Sequence, residues 1–323
     1  GHLARSLADG DGFTWRGEDV ALRAALYVFV IAPAWLVSNT LTAYALTKVM
    51  GALLLSAVVF PVWLLARQLL RPRMALLVAG LALAGTWMTT SALVLTENLA
   101  FPLATSALAA AVMAMRRPAS RWGWIALALC AVATWARLQL LLLIPVVGAA
   151  LLLDVARAGS GQARRARLAA HRPRLIAIGA VLALGMIAGL ADFELLTGTY
   201  SGARDFSLAA GKVLAAAGES WLVLFAMAGF IPLVVAVSLA TSRRAWRDDD
   251  AGPLLALLVP GTVVFVAVSG WATVGFEVTW PIQRYVEYVL PLAFVLLGVV
   301  AQRPRLLPRR AWLVAVALGA LTF

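Results

Sequence analysis

Four charged side chains lie within, or at the edges of, long apolar stretches of this sequence: Lys48, Glu97, Arg137 and Arg284. A charge in such a stretch is energetically costly, so each of the four is a candidate functional residue. Together they supply one carboxylate and three cations, and cations of this kind bind phosphate groups. Two of them also have an ordinary explanation: Glu97 would suit the N-terminus of a helix, and Lys48 could extend to a membrane interface.

The two arginines require partners. Arg137 lies between two short apolar stretches, and we expect its guanidinium to pair either with a carboxylate such as Glu97 or with a lipid phosphate. Arg284 precedes Tyr285 and lies one helical turn before Glu287. An ion pair within the helix is therefore the ordinary interpretation of Arg284, and a phosphate-binding role is the alternative.

The composition shows which environment must hold these charges. The chain is 63% hydrophobic and only 13% charged, whereas a soluble domain carries about 25% charged residues. We therefore predict an all-α, polytopic transmembrane helical bundle. The formal net charge of +12 comes from basic residues in short loops between apolar stretches, which indicates membrane topology and gives no support for nucleic acid as a partner. The only two histidines, His2 and His171, are far apart, so no metal site built on histidines is predicted.

Apolar stretches predict about nine complete membrane spans, although several are short against the length of about 20 residues that a crossing needs. They lie at 43–66, 74–90, 93–115, 122–136, 138–154, 175–192, 220–240, 253–270 and 285–301, and a partial tenth begins at 311. We predict that the chain is a fragment of a longer protein, without the first helix and the C-terminus. Two regions follow: an extracytoplasmic first-loop remnant at 1–42, in which 22–38 forms an interfacial or re-entrant helix, and a transmembrane domain at 43–323. A further outer loop is predicted at 193–219.

The basic residues of the loops test this topology independently. When successive loops are assigned alternately to two sides, one side collects nineteen Lys and Arg residues and the other, after residue 43, collects four. Such an asymmetry predicts that the side with nineteen is cytoplasmic. Glu97, Arg137, Arg284 and Lys48 then all fall near the extracytoplasmic side.

Four segments, in order along the chain, resemble the GT-C fold glycosyltransferases, which include protein O-mannosyltransferases and aminoarabinose transferases. Residues 2–13 (HLARSLADGDGF) resemble the first outer loop of that family, and 43–54 (AYALTKVMGALL) resemble its second transmembrane helix. Residues 96–103 (TENLAFPL) match a "TENLxxPL" stretch of bacterial members, and 284–292 resemble an "RYxxxxxP" entry to a late helix. The matches extend over most of the chain.

The resemblance implies a transferase in the bacterial plasma membrane that moves a sugar from a polyprenyl-phosphate donor to an acceptor glycan, lipid or protein, with inversion, on the extracytoplasmic face. A first-loop Asp or Glu is the catalytic base in that family, and here we expect it to precede Gly1. Asp9 and Asp11 are further candidates, and Glu97 would orient a cation or contact the sugar or acceptor.

Cations at the membrane surface would bind the lipid phosphate in such a reaction. Arg137, Arg284, Lys48 and Tyr285 are the predicted phosphate-binding residues, and membrane lipids are the other expected partners. The chemistry allows a divalent cation and does not require one.

Two other functions fit the sequence. A polytopic transporter or lipid-linked-sugar flippase would need broken helices and charges near the bilayer midplane, and usually shows repeat symmetry. A polysaccharide polymerase or ligase would use a donor that carries a whole glycan chain rather than one sugar.

Overall fold

The computed structural model describes residues 1–15, 18–20, 24–191, 209–278, 283–308, 311 and 313. These residues form a helical bundle, as the composition predicts, with one addition that the sequence did not indicate. Thr14–Trp15 (β1) and Glu18–Asp19 (β2) form a small antiparallel hairpin in which Thr14 pairs with Asp19.

The described α-helices follow the apolar stretches of the sequence. They are α1 His2–Asp9, α2 Leu26–Ile31, α3 Thr40–Ser56, α4 Val59–Leu69, α5 Pro72–Leu83, α6 Glu97–Arg116, α7 Trp122–Ala136, α8 Leu143–Ala156, α9 Gly161–Ala191, α10 Ala210–Ala228, α11 Ile231–Ala240, α12 Arg243–Arg247, α13 Ala251–Gly275, α14 Gln283–Val286 and α15 Leu290–Gln302. Short 3-10 helices occur at Ala32–Leu36, Thr86–Ala92, Leu138–Leu142, Glu287–Val289 and Pro304–Leu306.

Seven helical segments in the described part of the chain are long and apolar enough to cross a membrane: Thr40–Leu69, Glu97–Arg116, Leu138–Ala156, Gly161–Ala191, Ala210–Ala228, Ala251–Gly275 and Arg284–Gln302. The chain is thus a multi-pass membrane protein by helix length and hydropathy. The apolar helices α5 and α7 have only 12 and 15 residues, so the predicted total of nine complete spans stays a prediction. The predicted tenth span lies outside the described residues, apart from 311 and 313.

Three predicted boundaries are wrong. The stretch 74–90 is helical only to Leu83, and a 3-10 helix follows at Thr86–Ala92. Part of the predicted outer loop 193–219 belongs to α10, which already begins at Ala210. The predicted span 220–240 consists of two helices, because Gly229 and Phe230 both take a positive φ that ends α10. The remainder of that loop, 193–208, lies outside the described residues.

Helix α6 lies at the centre of the bundle. Its alanines let α3, α4, α7 and α13 pack closely around it, and most of its residues are buried. A helix that is apolar on every side belongs in such a core. Helix α9 is the opposite case, because only 11% of its most apolar 18-residue stretch is buried. Its exposed leucine, isoleucine and methionine side chains form a surface suited to lipid.

The N-terminal residues form a small layer at one end of the bundle. Ala4 of α1 and Tyr27 and Ile31 of α2 form an apolar cluster that also contacts Val94 and Leu99, near the start of α6. The predicted helix at 22–38 is therefore present in shorter form, as α2 and the 3-10 helix that follows it. The predicted boundary at residue 42 falls inside α3, which begins at Thr40 because the Asn39 side chain accepts hydrogen bonds from the Leu41 and Thr42 amides.

Charged side chains collect at the two opposite ends of the bundle. At one end, which we call the arginine-rich end, Asp250 joins Arg116 to Arg303, and Asp154 joins Arg157 to Arg167. At the other end, which we call the Glu97 end, Glu97 contacts Arg137 and Arg284. The contacts agree with the alternation of loops that the basic residues predict.

Candidate functional site

Glu97 is the centre of the charged cluster at the Glu97 end. It occupies the first position of α6, where the partial positive charge of a helix N-terminus favours a carboxylate. The Thr96 hydroxyl donates a hydrogen bond to its Oε2 atom at 3.1 Å. The residue is 1% exposed, so its negative charge is stabilised by protein groups and not by water.

Arg137 is the buried partner of Glu97. It ends α7 with an extended backbone, which directs the chain into the following 3-10 helix. Its Nη1 atom forms an ion pair with Glu97 Oε1, and its Nε atom donates to Gln139 Oε1. The sequence predicted either Glu97 or a lipid phosphate as the partner of Arg137, and the structure shows Glu97. Because Arg137 is only 5% exposed, it can orient Glu97 but is poorly placed to meet a ligand first.

Arg284 is the cation of this cluster that reaches the surface. Its Nη1 atom lies 3.2 Å from Glu97 Oε1, while 43% of its side chain remains exposed. The ordinary interpretation, an ion pair with Glu287 in the same helix, is not what the structure shows: α14 ends at Val286, and Glu287 begins a 3-10 turn. One Nη atom of the Arg284 guanidinium therefore contacts Glu97, while the exposed part of the side chain is accessible to an anion.

Tyr285, a predicted substrate-binding residue, is 5% exposed and contacts the buried side of the cluster. Its hydroxyl accepts a hydrogen bond of 2.6 Å from Gln139 Nε2. The guanidinium carbon of Arg137 lies 5.4 Å from the centre of the Tyr285 ring, within range of a cation–π interaction. Tyr285 thus helps to position Arg137, and its contact with a substrate stays a prediction.

Lys48 stands apart from this cluster. Its Nζ atom lies 4.8 Å from the centre of the Tyr44 ring on the same helix, and no ion pair involves it in the described part of the chain. The face of α3 that packs against α6 carries Thr47 and Gly51, so Lys48 is directed to the side of that contact. Interfacial extension of Lys48 and its phosphate-binding role both stay predictions.

Asp9 and Asp11 lie in the N-terminal layer at the Glu97 end. Asp9 is half exposed and contacts Arg5 at 3.6 Å, one helical turn away. Asp11 is exposed and follows Gly10, whose left-handed backbone ends α1. Neither carboxylate forms an ion pair with Arg137 or Arg284 in the described residues, so the structure does not bring them into the buried cluster.

Two features of the site were not recognised from the sequence. Gln139 accepts a hydrogen bond from Arg137 and donates one to Tyr285. The contact between Arg137 and Gln139 depends on the 3-10 helix that begins at Leu138. Glu287 is 2% exposed, and its Oε1 atom has no hydrogen-bond partner among the described residues. The sequence places Glu287 one turn after Arg284, but its burial next to the cluster comes from packing.

The described residues of the site offer no cluster of metal ligands. Among the residues that the structure describes, no three His, Cys, Asp or Glu side chains come together as a metal-ion site. The divalent cation that the chemistry allows therefore stays a prediction.

Comparison with protein-family models, with curated proteins and with solved structures finds no match for this chain. Glu97, Arg137 and Arg284 together carry one negative and two positive charges at the end opposite to the arginine-rich loops, and Arg284 is the partly exposed member.

Proposed function

We propose that this protein is a membrane glycosyltransferase that moves a sugar from a polyprenyl-phosphate donor to an acceptor hydroxyl on the extracytoplasmic face. The observation that carries the proposal is the convergence of Glu97, Arg137 and Arg284 from three helical segments distant in sequence. A donor whose tail stays in the bilayer needs its cationic partner at the membrane surface. The proposal is supported by Arg284, which is half exposed at the first residue of a segment long and apolar enough to cross a membrane.

In this reaction the acceptor oxygen forms a bond to the anomeric carbon of the sugar. The bond from that carbon to the phosphate oxygen breaks, and the phosphate leaves with the electron pair. Arg284 stabilises the negative charge that develops on the leaving phosphate. Attack opposite the leaving group inverts the anomeric centre.

The buried residues have a supporting role. Arg137 holds Glu97, and Glu97 fixes one edge of the Arg284 guanidinium. The acceptor proton requires a base, and the exposed carboxylates of Asp9 and Asp11 are candidates at the same end of the bundle. Glu97 is already engaged by two guanidiniums, so we assign it a positioning role.

The test uses the purified chain in proteoliposomes with polyprenyl-phosphate donors that carry labelled mannose or aminoarabinose, together with a cell-envelope extract as the source of acceptors. The Arg284→Ala variant should lower transfer by about 100-fold or more, the typical cost of removing one group that stabilises developing negative charge. Arg284 is preferred to Arg137 because its half-exposed side chain can be replaced with little effect on folding. Arg121→Ala, an exposed arginine at the other end, is the matched control.

Undiminished transfer by Arg284→Ala would contradict the proposed phosphate contact. Movement of labelled lipid across the bilayer without sugar transfer would instead support a flippase. The crossing broken at Gly229 is the feature that a flippase would use. The side chains beside that break, Phe225, Phe230 and Ile231, are apolar, whereas transport sites usually place polar groups there.

A further inference from the structure

A second anion-binding site is indicated at the arginine-rich end. It is independent of the proposed transferase activity. A cavity of about 480 Å³ opens between α12 and the segment that follows α15. This volume lies in the range of roughly 300–1,000 Å³ that ligand-binding pockets occupy. The charged residues that line the cavity are Arg243, Arg244, Arg247, Asp248, Arg303 and Arg305.

Four of these arginines have no neutralising partner among the residues that the structure describes. Arg303 contacts Asp248 and Asp250, and the hydrogen bond with Asp250 raises the pKa of Arg303. Within the described part of the chain, the other four lining arginines form no ion pair and no side-chain hydrogen bond. The cavity is therefore rich in guanidinium groups that are not neutralised.

A neighbouring cavity differs in that most of its lining arginines have carboxylate partners. It has a volume of about 290 Å³ and is lined by Arg116, Arg117, Arg157, Arg167 and Asp249. There, Asp250 binds Arg116, and the fully buried Asp154 binds Arg157 and Arg167. A basic loop that only fixes membrane orientation needs positive charge, but it does not need its charges gathered without partners around a cavity.

The walls of the larger cavity are held in place by local contacts. The Ser242 hydroxyl caps α12 by accepting a hydrogen bond from the Ala245 amide, and Ala245 is buried. The Trp246 indole donates to the carbonyl of Ala240 at 2.8 Å. On the opposite wall, Arg303 is fixed by its two carboxylates, and the buried Leu306 lines the cavity. The arginine side chains thus project from a defined framework.

We propose that this cavity binds the headgroup of a phospholipid that carries two phosphate groups. One guanidinium can bind a phosphate through two parallel N–H donors, so the four arginines supply ample donors and positive charge for two phosphates. The cavity begins where α11 and α15 end, at Ala240 and Gln302, so acyl chains attached to the bound headgroup can enter the bilayer beside these helices. Basic pockets between membrane helices bind lipids of this kind.

The test measures the binding of diphosphatidylglycerol to the purified full chain by native mass spectrometry, with phosphatidylglycerol and phosphatidylcholine as comparison lipids. The variant replaces Arg243, Arg244 and Arg247 by glutamine. We expect its affinity for diphosphatidylglycerol to fall by about 100-fold, since each arginine near an anionic lipid surface contributes roughly a factor of five. The matched control removes the same charge from the same end by replacing Arg121, Arg165 and Arg172, which are exposed and do not line this cavity.

The proposal is supported if only the cavity variant loses the lipid. Equal losses in both variants would overturn it, because they would show a general attraction to net charge. The unmodified protein gives a second measurement, in which inorganic pyrophosphate competes with the lipid. If pyrophosphate binds as tightly as diphosphatidylglycerol, the cavity is a site for a soluble anion and the lipid proposal is wrong. No preference for diphosphatidylglycerol over phosphatidylglycerol would equally contradict the match to two phosphates.

Discussion

The strongest prediction concerns the unequal energies of the two ion pairs that share Glu97. The Arg137 side chain is 6% exposed and the Arg284 side chain is 43% exposed. Glu97→Gln leaves the buried Arg137 cation without a counter-charge, which typically costs about 3–5 kcal/mol. The contact with Arg284 is partly screened by solvent, so it should contribute at most about 1 kcal/mol. The loss of stability in Glu97→Gln should therefore come mainly from Arg137.

Two double-mutant cycles separate the two contributions. Glu97→Gln is combined with Arg137→Met in one cycle and with Arg284→Met in the other, and unfolding in mixed detergent micelles is followed by the fluorescence of the 12 tryptophans. We expect a coupling free energy of about 2–3 kcal/mol with Arg137 and below about 1 kcal/mol with Arg284.

The exposed pair Arg5–Asp9, at 3.6 Å, serves as a control whose coupling should lie close to zero. Equal couplings for Arg137 and Arg284, or a larger one for Arg284, would refute the assignment of Arg137 as the buried partner.

Three further predictions follow from other parts of the bundle. Asp154→Asn should destabilise the protein by about 3–5 kcal/mol in the same unfolding assay, because Asp154 is fully buried and contacts three basic side chains. Gly51→Ala should cost about 1–3 kcal/mol, because an added methyl group would lie 2.5 Å from a side-chain nitrogen of α6. Gly80→Ala meets no atom within 4 Å and should instead raise stability by about 0.5–1 kcal/mol. Asp11→Cys and Arg244→Cys should react with an impermeant thiol reagent from opposite sides of sealed vesicles, while the native cysteine is buried.

These three experiments have clear contrary outcomes. A stable Asp154→Asn variant would show that its three basic neighbours find other partners. Equal effects of the two glycine substitutions would contradict the close approach of α3 to α6. Labelling of both introduced cysteines from one side would contradict the alternation of loops that the basic residues predict.

The sequence by itself determined the class of structure and the main charged residues. Its apolar stretches and low charge required a membrane helical bundle, and its loop arginines predicted which helix ends lie together. These properties are local, because the length of an apolar stretch and the number of basic residues in a loop can be counted without knowing the packing. Glu97, Arg137 and Arg284 could be singled out in the same way, since a charge beside an apolar stretch is costly wherever the helix lies.

Only the tertiary structure decided which of these charges meet. Arg284 pairs with Glu97, distant in sequence, and not with Glu287 one turn away, whereas Lys48 remains beside Tyr44 on its own helix. The break at Gly229 and the excess of unpaired arginines around α12 also come from the folded arrangement. The physical reason is that a sequence fixes the charge of a side chain, but burial and the approach of other helices fix its partner.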